Sequence, residues 1–99
     1  LRVEVNMLVI VKSGPDTADG KRGVKLAQDM AADLFLIQNG VYFAQEERLE
    51  GFCGTAYALE DDLKLRGIKG AGIEKGIRET GYDSFVDLMA ESDKVIGMF

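Results

Sequence analysis

The sequence predicts a parallel α/β fold, and three observations lead to that prediction. Short apolar segments alternate along the chain with segments of helical periodicity, which is typical of strand–helix–strand units with right-handed crossovers. Residues 34–37, Leu-Phe-Leu-Ile, form an unbroken apolar run, as in a strand that is buried on both faces. The run ends abruptly at residues 38–40, Gln-Asn-Gly, which should lie at the edge of the sheet where α/β proteins bind ligands.

The composition limits the classes of function. The chain has 99 residues, of which 46% are apolar, and we expect a single domain over residues 1–99. The net charge is −5 and no window concentrates Lys and Arg without acids, so direct binding to nucleic acid or to an anionic membrane is not expected. No apolar run approaches the ~20 residues of a membrane span and no signal peptide is visible, so we expect a cytoplasmic location. One Cys and no His exclude a disulfide framework and a Cys/His zinc site.

The first strand is predicted over residues 7–11, a β-branched run that ends in a loop at residues 12–15. Apolar side chains alternate from Val3 onward, so residues 1–6 either lengthen this strand or are a non-native or upstream extension before Met7.

A helix is predicted next, over residues 18–32. Gly20 and Gly23 should weaken its first turn by roughly 1 kcal/mol each. Its inner face is expected to carry Val24, Ala27, Met30 and Ala31.

The second strand, over residues 34–38, should lead into a second helix over residues 39–50. Asn39 is a suitable N-cap for that helix, and Gly51 is placed to end it.

The second half of the chain continues the alternation. Its predicted elements are a strand at 55–59, a helix at 60–66, a weak strand near 73–77, a helix at 83–91 and a last strand at 94–98. Opposite charges at i,i+4 spacing, Glu60–Lys64 and Asp62–Arg66, should support the short helix, and Gly67 ends it. Asp83 is expected to cap the last helix. The inner face of that helix is expected to carry Phe85, Val86, Leu88 and Met89.

Two glycine-containing segments come close to phosphate-binding motifs without matching them. Residues 14–22 follow the first strand as a P-loop would, but five residues separate the glycines where the motif has four, and Arg22 replaces the required Ser or Thr. Gly70, Gly72 and Gly76 resemble a dinucleotide loop whose third glycine is one residue late. We therefore predict no nucleotide site in either segment.

The candidate chemical groups are few. Asp61 and Asp62 either complement the dipole of the short helix or form an acidic magnesium site, and we favour the first interpretation and predict no metal. Cys53 is the only soft nucleophile, and a reactive thiol needs exposure and nearby cations. Because Cys53 follows an acidic stretch and precedes the third strand, at the edge opposite the ligand-binding end, we expect a buried or half-buried structural thiol.

Four segments have the order and spacing found in a known family. They are residues 7–13, residues 36–41 (LIQNGV), residues 56–67 (AYALEDDLKLRG) and residues 82–88 (YDSFVDL). Together they resemble the DsrH/TusB family, within the DsrE/DsrF/DsrH-like group, and the resemblance covers nearly the whole chain from Met7 to Phe99. It implies a three-layer α/β/α domain with a five-stranded parallel sheet in the order 4-3-2-1-5.

The resemblance also implies a function. Members of this group form complexes that relay persulfide sulfur, either toward 2-thiouridine at the tRNA wobble position or in sulfur oxidation. This chain would then assemble with DsrE/DsrF (TusD/TusC)-like subunits as a homo- or hetero-oligomer, without a cofactor. In this group the relay cysteine follows the third strand or, in DsrH-type members, the first strand. The corresponding segments of this chain are residues 60–62 and 13–23, and neither contains a Cys. Cys53 matches neither position. The favoured interpretation is therefore a TusB-like partner subunit without a catalytic cysteine, and the alternative is a sulfurtransferase that carries persulfide on Cys53.

A third hypothesis is a small-anion-binding module at the turn after the second strand. That turn offers backbone amides at a helix N-terminus, and Gly40 would let a ligand approach closely. The alternative is that Gln38 and Asn39 only satisfy hydrogen bonds of the turn. The predicted ligand or partner contacts are Lys12, Ser13, Gln38, Asn39, Gly40, Asp61 and Asp62.

Overall fold

Five parallel strands form one sheet with helices on both of its faces. The structure is a computed structural model that describes residues 6–45, 48–49, 51–97 and 99. Its elements are β1 (Met7–Val11), α1 (Ala18–Asp29), β2 (Asp33–Leu36), a 3₁₀ helix (Gln38–Ala44), β3 (Ala56–Leu59), α2 (Glu60–Leu65), a 3₁₀ turn (Gly70–Gly72), β4 (Arg78–Thr80), α3 (Tyr82–Glu91) and β5 (Lys94–Ile96). The strand order is β4-β3-β2-β1-β5 and every neighbouring pair is parallel, which confirms the predicted fold and order.

The direction of the crossovers distributes the helices unevenly. The chain steps from β1 to β4 in one direction across the sheet, so its right-handed connections all lie on one face. Ala27 of α1, Val41 of the 3₁₀ helix and Leu63 of α2 share the core on that face. The connection from β4 to β5 runs back across the sheet, and α3 therefore lies on the opposite face, where it contributes Phe85.

Phe35 lies at the centre of the face that α3 covers. It is fully buried, and its register places it between Ile10 of β1 and Tyr57 of β3. Its ring centroid lies 4.2 Å from that of Phe85 and 5.7 Å from that of Tyr57. These contacts connect three strands to α3, so this aromatic group fixes the position of the helix on the sheet.

Gly20 and Gly23 were predicted only to weaken the first turn of α1, but in the structure they are sites of close packing. A Cβ on Gly20 would lie 2.2 Å from the carbonyl oxygen of Gly14, which no side chain tolerates. Thr17 caps the helix: its hydroxyl accepts from the Gly20 N–H at 3.0 Å and donates to the Gly14 carbonyl at 2.7 Å. The intrinsic cost of glycine is therefore offset by contacts that only glycine permits.

The C-terminal end of α1 was predicted three residues too far along the chain. The helix ends at Asp29, and Ala31 takes a left-handed backbone conformation with φ 53°. The Ala32 N–H donates to the Ala27 carbonyl at 2.9 Å, so a terminating turn closes the helix. Ala31 is exposed, and its predicted place on the inner face is wrong, whereas Ala27 is fully buried.

The predicted second α-helix is a shorter 3₁₀ helix. Asn39 does not cap it, since the N-cap position is Ile37 and no side chain bonds there. The helix ends at Ala44, and Gln45 is already extended and forms an antiparallel bridge with Ile73. Part of the remaining predicted helix, residues 46, 47 and 50, lies outside the described residues, and Gly51 (φ 83°) lies in a turn.

Two further boundaries are corrected in the second half. The weak strand predicted near residues 73–77 is instead β4, at Arg78–Thr80. In α3 the N-cap position is Gly81, and the predicted cap Asp83 lies in the first turn. Phe85 is buried as predicted, but Val86 is 41% exposed and does not face the core.

The ends of the described chain meet at β1 and β5. The lengthening of β1 was predicted over residues 1–6. Residues 1–5 lie outside the described residues, and Asn6 precedes the strand without belonging to it. Met98 of the predicted last strand also lies outside the described residues. Phe99 continues the pairing, because its N–H donates to the Ile10 carbonyl at 3.2 Å. None of the helices in the described ranges is long and apolar enough to cross a membrane.

Candidate functional site

The turn after β2 is bonded directly to the end of β1. The Ile37 N–H donates to the Val11 carbonyl at 3.0 Å, and the Gly40 N–H donates to the Lys12 carbonyl at 3.1 Å. A Cβ on Gly40 would lie 2.1 Å from the Val11 carbonyl oxygen, so only glycine lets the two backbones approach this closely. The structure therefore brings Lys12 beside residues 38–40, because the carboxyl ends of parallel strands meet at one edge.

The backbone amides of Lys12 and Ser13 already have acceptors. Both donate to the Phe99 carbonyl oxygen, at 2.9 Å and 3.0 Å. The Lys12 side chain is exposed and that of Ser13 is half-buried. At this edge the lysine side chain, rather than the backbone amides, is therefore accessible to a ligand or partner.

Gln38 is held in an uncommon backbone conformation by a carboxylate from α2. Its φ is 50°, in the left-handed region that side chains rarely adopt. Its N–H donates to Asp62 Oδ2 at 2.7 Å, a short hydrogen bond to a charged acceptor. Asp62 thus occupies the position at this amide that a bound anion would take, and its carboxylate acts as an internal anion.

Arg66 links the same carboxylate to the turn after β2. Its guanidinium lies 3.6 Å from Asp62 Oδ1, and the side chains of Arg66 and Asp62 are only 20% and 16% exposed. Arg66 Nε also donates to Asn39 Oδ1 at 3.0 Å, and Nη1 donates to the Asp62 carbonyl at 3.2 Å. The i,i+4 spacing predicted the Asp62–Arg66 pair but not its contact with Asn39, which depends on β2 and β3 being neighbours.

The two acidic residues of α2 have different environments. Asp62 participates in the contacts above, whereas Asp61 is exposed and lies outside them. The predicted Glu60–Lys64 pair is not among the ion pairs of the described chain. Within the described ranges no group of three or more His, Cys, Asp or Glu residues could hold a metal ion.

Cys53 lies at the opposite edge of the sheet, before β3, as the topology predicted. The prediction that it is buried or half-buried is wrong, because Cys53 is exposed. Gln28 of α1 holds it: the Cys53 N–H donates to Gln28 Oε1 at 3.2 Å, and Gln28 Nε2 lies 3.8 Å from Sγ and donates to the Gly51 carbonyl at 3.0 Å. A long-range contact to a helix thus fixes the loop in an outward position.

Two of the cavities that adjoin this loop also border α1, and sequence reasoning predicted neither. One, of about 310 Å³, is lined by Cys53, Gln28 and small residues, and none of its described lining residues is cationic. The other, of about 340 Å³, lies between α1 and residues 48, 49, 51 and 52. Its lining includes the apolar Val24, Phe43, Leu49 and Phe52 and the cationic Lys21, Lys25 and Arg48.

A sequence model of the family described as DsrH like protein matches residues 16–95. The chain belongs to the DsrH-like family. This confirms the resemblance on which the sheet order was predicted. The matched residues include Cys53 and the four residues in contact at the turn after β2, which are Gln38, Asn39, Asp62 and Arg66. No curated protein sequence matches this DsrH-like chain.

Two solved structures are similar to this DsrH-like protein along most of its length. The crystal structure of the ychN protein from E. coli superposes with a TM-score of 0.83, covering 96% of this chain and 100% of that one, at 13% identity. The solution structure of Tm0979 from Thermotoga maritima has a TM-score of 0.63 and 32% identity, covering 85% of this chain and 91% of that one. The first similarity shows the fold, and family membership supports a role as a sulfur-relay subunit.

Proposed function

We propose that this DsrH-like protein is a TusB-like partner subunit of a cytoplasmic sulfur-relay complex and that it carries no relay cysteine of its own. It would assemble with DsrE/DsrF (TusD/TusC)-like chains. One observation carries the proposal: the place after β3, where the resemblance expects the relay cysteine, holds Glu60, Asp61 and Asp62. Asp62 accepts a hydrogen bond there from the Gln38 N–H and forms an ion pair with Arg66.

The contacts of Asp62 determine which groups are accessible to a partner at the carboxyl ends of the strands. The Gln38 and Gly40 amides donate within the chain, so these two backbone donors are not offered to a ligand. Lys12, Gln38 and Asn39 are exposed around it. This edge therefore supports contact with another subunit, and Lys12 supplies a cation that would attract a carboxylate or a persulfide on the partner.

Co-expression with the DsrE/DsrF-like chains of the same genome tests the proposal. We expect a stable complex, and we expect Cys53→Ala to leave both its assembly and persulfide transfer through it unchanged. If the protein elutes alone at micromolar concentration in the presence of these chains, the proposal is wrong.

A second measurement distinguishes tRNA modification from sulfur oxidation. If the complex serves tRNA modification, deletion of the gene should remove 2-thiouridine from digested tRNA. If it serves sulfur oxidation, the deletion should leave 2-thiouridine intact and impair growth on reduced sulfur compounds.

A sulfurtransferase that uses Cys53 is the second candidate, and the exposure of the thiol beside a cavity of about 310 Å³ favours it. The chemistry needs a thiolate, which nearby cations stabilise, and the described lining of that cavity contains none. Intact mass after incubation with a persulfide donor decides: a gain of one sulfur that Cys53→Ala abolishes would establish this function.

Binding of a small anion at residues 38–40 is the third hypothesis drawn from the sequence, and it is untested. A thermal-shift series with phosphate, sulfate, thiosulfate and nucleotides tests it. A ligand at 100-fold its Kd would stabilise the protein by roughly 2.7 kcal/mol. The internal use of the Gln38 amide leads us to expect no shift.

A further inference from the structure

The helix α3 has apolar residues on two sides, and only one side is covered. Phe85 is buried against the sheet, with Leu88 and Met89 half-buried beside it. A second set of apolar residues, spaced four apart, faces away from the sheet. This apolar stripe consists of Tyr82, Val86 and Ala90, all of them exposed; Tyr82 is 62% and Val86 41% exposed.

A row of carboxylates borders the apolar stripe. This acidic row consists of Asp83, Asp87 and Glu91, again four residues apart and all exposed. Within the described chain none of the three forms an ion pair, although Asp19, Asp29 and Asp62 each do so. Like charges at this spacing repel one another along a helix. Asp83, in the first turn, complements the dipole of α3, but Asp87 and Glu91 do not stabilise the helix in this way.

The apolar stripe is supported from beneath by the aromatic core. The Tyr82 ring meets Phe85 edge to face at a centroid distance of 6.3 Å, and Phe85 packs on Phe35 at 4.2 Å. An exposed aromatic residue that is held in place by the core loses little conformational freedom on binding. Such residues are enriched among the energetically important contacts of protein interfaces.

We propose that the apolar stripe of α3 docks a partner protein that presents Lys or Arg side chains beside apolar ones. This inference rests on the proposed function, because it takes the partner to be a DsrE/DsrF-like subunit of the complex. Charge complementarity selects the occupant: the stripe supplies the apolar centre, and the acidic row supplies a rim that only cations would neutralise.

The same charges disfavour a second copy of this chain as the occupant. In a two-fold dimer with α3 packed antiparallel against α3 through the apolar stripe, the acidic row of one copy would face that of the other. Six carboxylates would then meet, and α3 itself carries no Lys or Arg that could lie between them. Like-charge contacts of this kind suppress an association.

The experiment measures binding of the full chain to purified DsrE/DsrF-like subunits by calorimetry and co-elution. Two variants act on the proposed surface: Val86→Asp places a charge in the apolar stripe, and Asp83→Asn/Asp87→Asn/Glu91→Gln neutralises the acidic row at constant size. Leu65→Asp is the matched control, because Leu65 is 80% exposed on α2, which lies on the other face of the sheet. Circular dichroism and thermal unfolding establish that each variant folds.

We expect each surface variant to raise the Kd at least tenfold and Leu65→Asp to leave it within twofold. Raising the salt concentration should weaken the wild-type complex strongly and the neutralised variant little, because its charge contacts are already lost.

Three other results would overturn the inference. A complex that forms normally with both surface variants would show that another face binds, while the proposed function would stand. Self-association that is lost in Val86→Asp and strengthened by neutralisation would identify a second copy as the occupant. Absence of any complex with DsrE/DsrF-like chains would contradict both the inference and the proposed function.

Discussion

At Gly40 a single missing Cβ allows the turn after β2 to press on the end of β1. A methyl group there would lie 2.1 Å from the Val11 carbonyl oxygen, and the neighbouring atoms belong to the backbone and cannot rotate away. We therefore expect Gly40→Ala to lower the free energy of unfolding by about 3 kcal/mol, at the upper end for overpacking. Urea unfolding measures this. Gly72→Ala is the control, because open space surrounds that position; an equal loss there would show that the effect is not steric.

The Asp62 carboxylate connects two loops that are far apart in the sequence. Asp62→Asn should lower the free energy of unfolding by about 2 kcal/mol, because the Gln38 N–H loses a charged acceptor and Arg66 loses its ion pair. Faster hydrogen exchange of the Gln38 amide should accompany the loss. Asp61→Asn, on an exposed neighbour, should change stability by less than about 0.5 kcal/mol. A similar effect of the two substitutions would contradict the assigned contacts.

Cys53 offers a direct chemical test of its exposure. In the folded protein a thiol-reactive disulfide reagent should label Cys53 completely within minutes, without denaturant, because its side chain is exposed. If labelling requires unfolding, the buried thiol expected from the sequence is correct and the outward position of the loop is wrong.

Among the elements, the strands with strong apolar patterns were predicted well and the connections less so. β1, β2 and β3 were found within two residues. β1 and β2 are buried on both faces, which leaves an unbroken apolar run, and β3 is an apolar segment that alternates between buried and half-buried residues. The second helix was assigned the wrong type, since the contact of Gly40 with Val11 and the bridge from Gln45 to Ile73 override local preference. Neither contact is visible in a local window of the sequence.

The two sides of α3 should respond differently to truncation. Phe85→Ala removes a buried ring that contacts Phe35, and we expect a loss of about 3–5 kcal/mol in the free energy of unfolding. Val86→Ala, one residue along on the exposed side, should cost less than about 0.5 kcal/mol. Thermal and urea unfolding of the two variants measure the difference. Comparable losses would mean that the helix is rotated about its axis relative to the described packing.

At the scale of the whole molecule, the parallel topology explains which site residues could be predicted. Lys12, residues 38–40 and Asp62 follow three neighbouring strands, so their convergence follows from the strand order. The role of Arg66 and the exposure of Cys53 depend on side-chain contacts between elements 25 or more residues apart. Such contacts leave no periodicity in the sequence, and the two cavities beside α1 were missed for the same reason.

The uneven placement of the helices also sets the order in which the protein can fold during synthesis. Leu8, Ile10 and Phe35 leave the ribosome long before the helix that covers them, which begins only at Tyr82. Strand β5 is made later still, and it pairs with β1, which comes first in chain order among the strands of this sheet. One face of the sheet therefore stays uncovered until α3 has been made. Such late, non-local contacts favour slow folding and expose the nascent chain to aggregation.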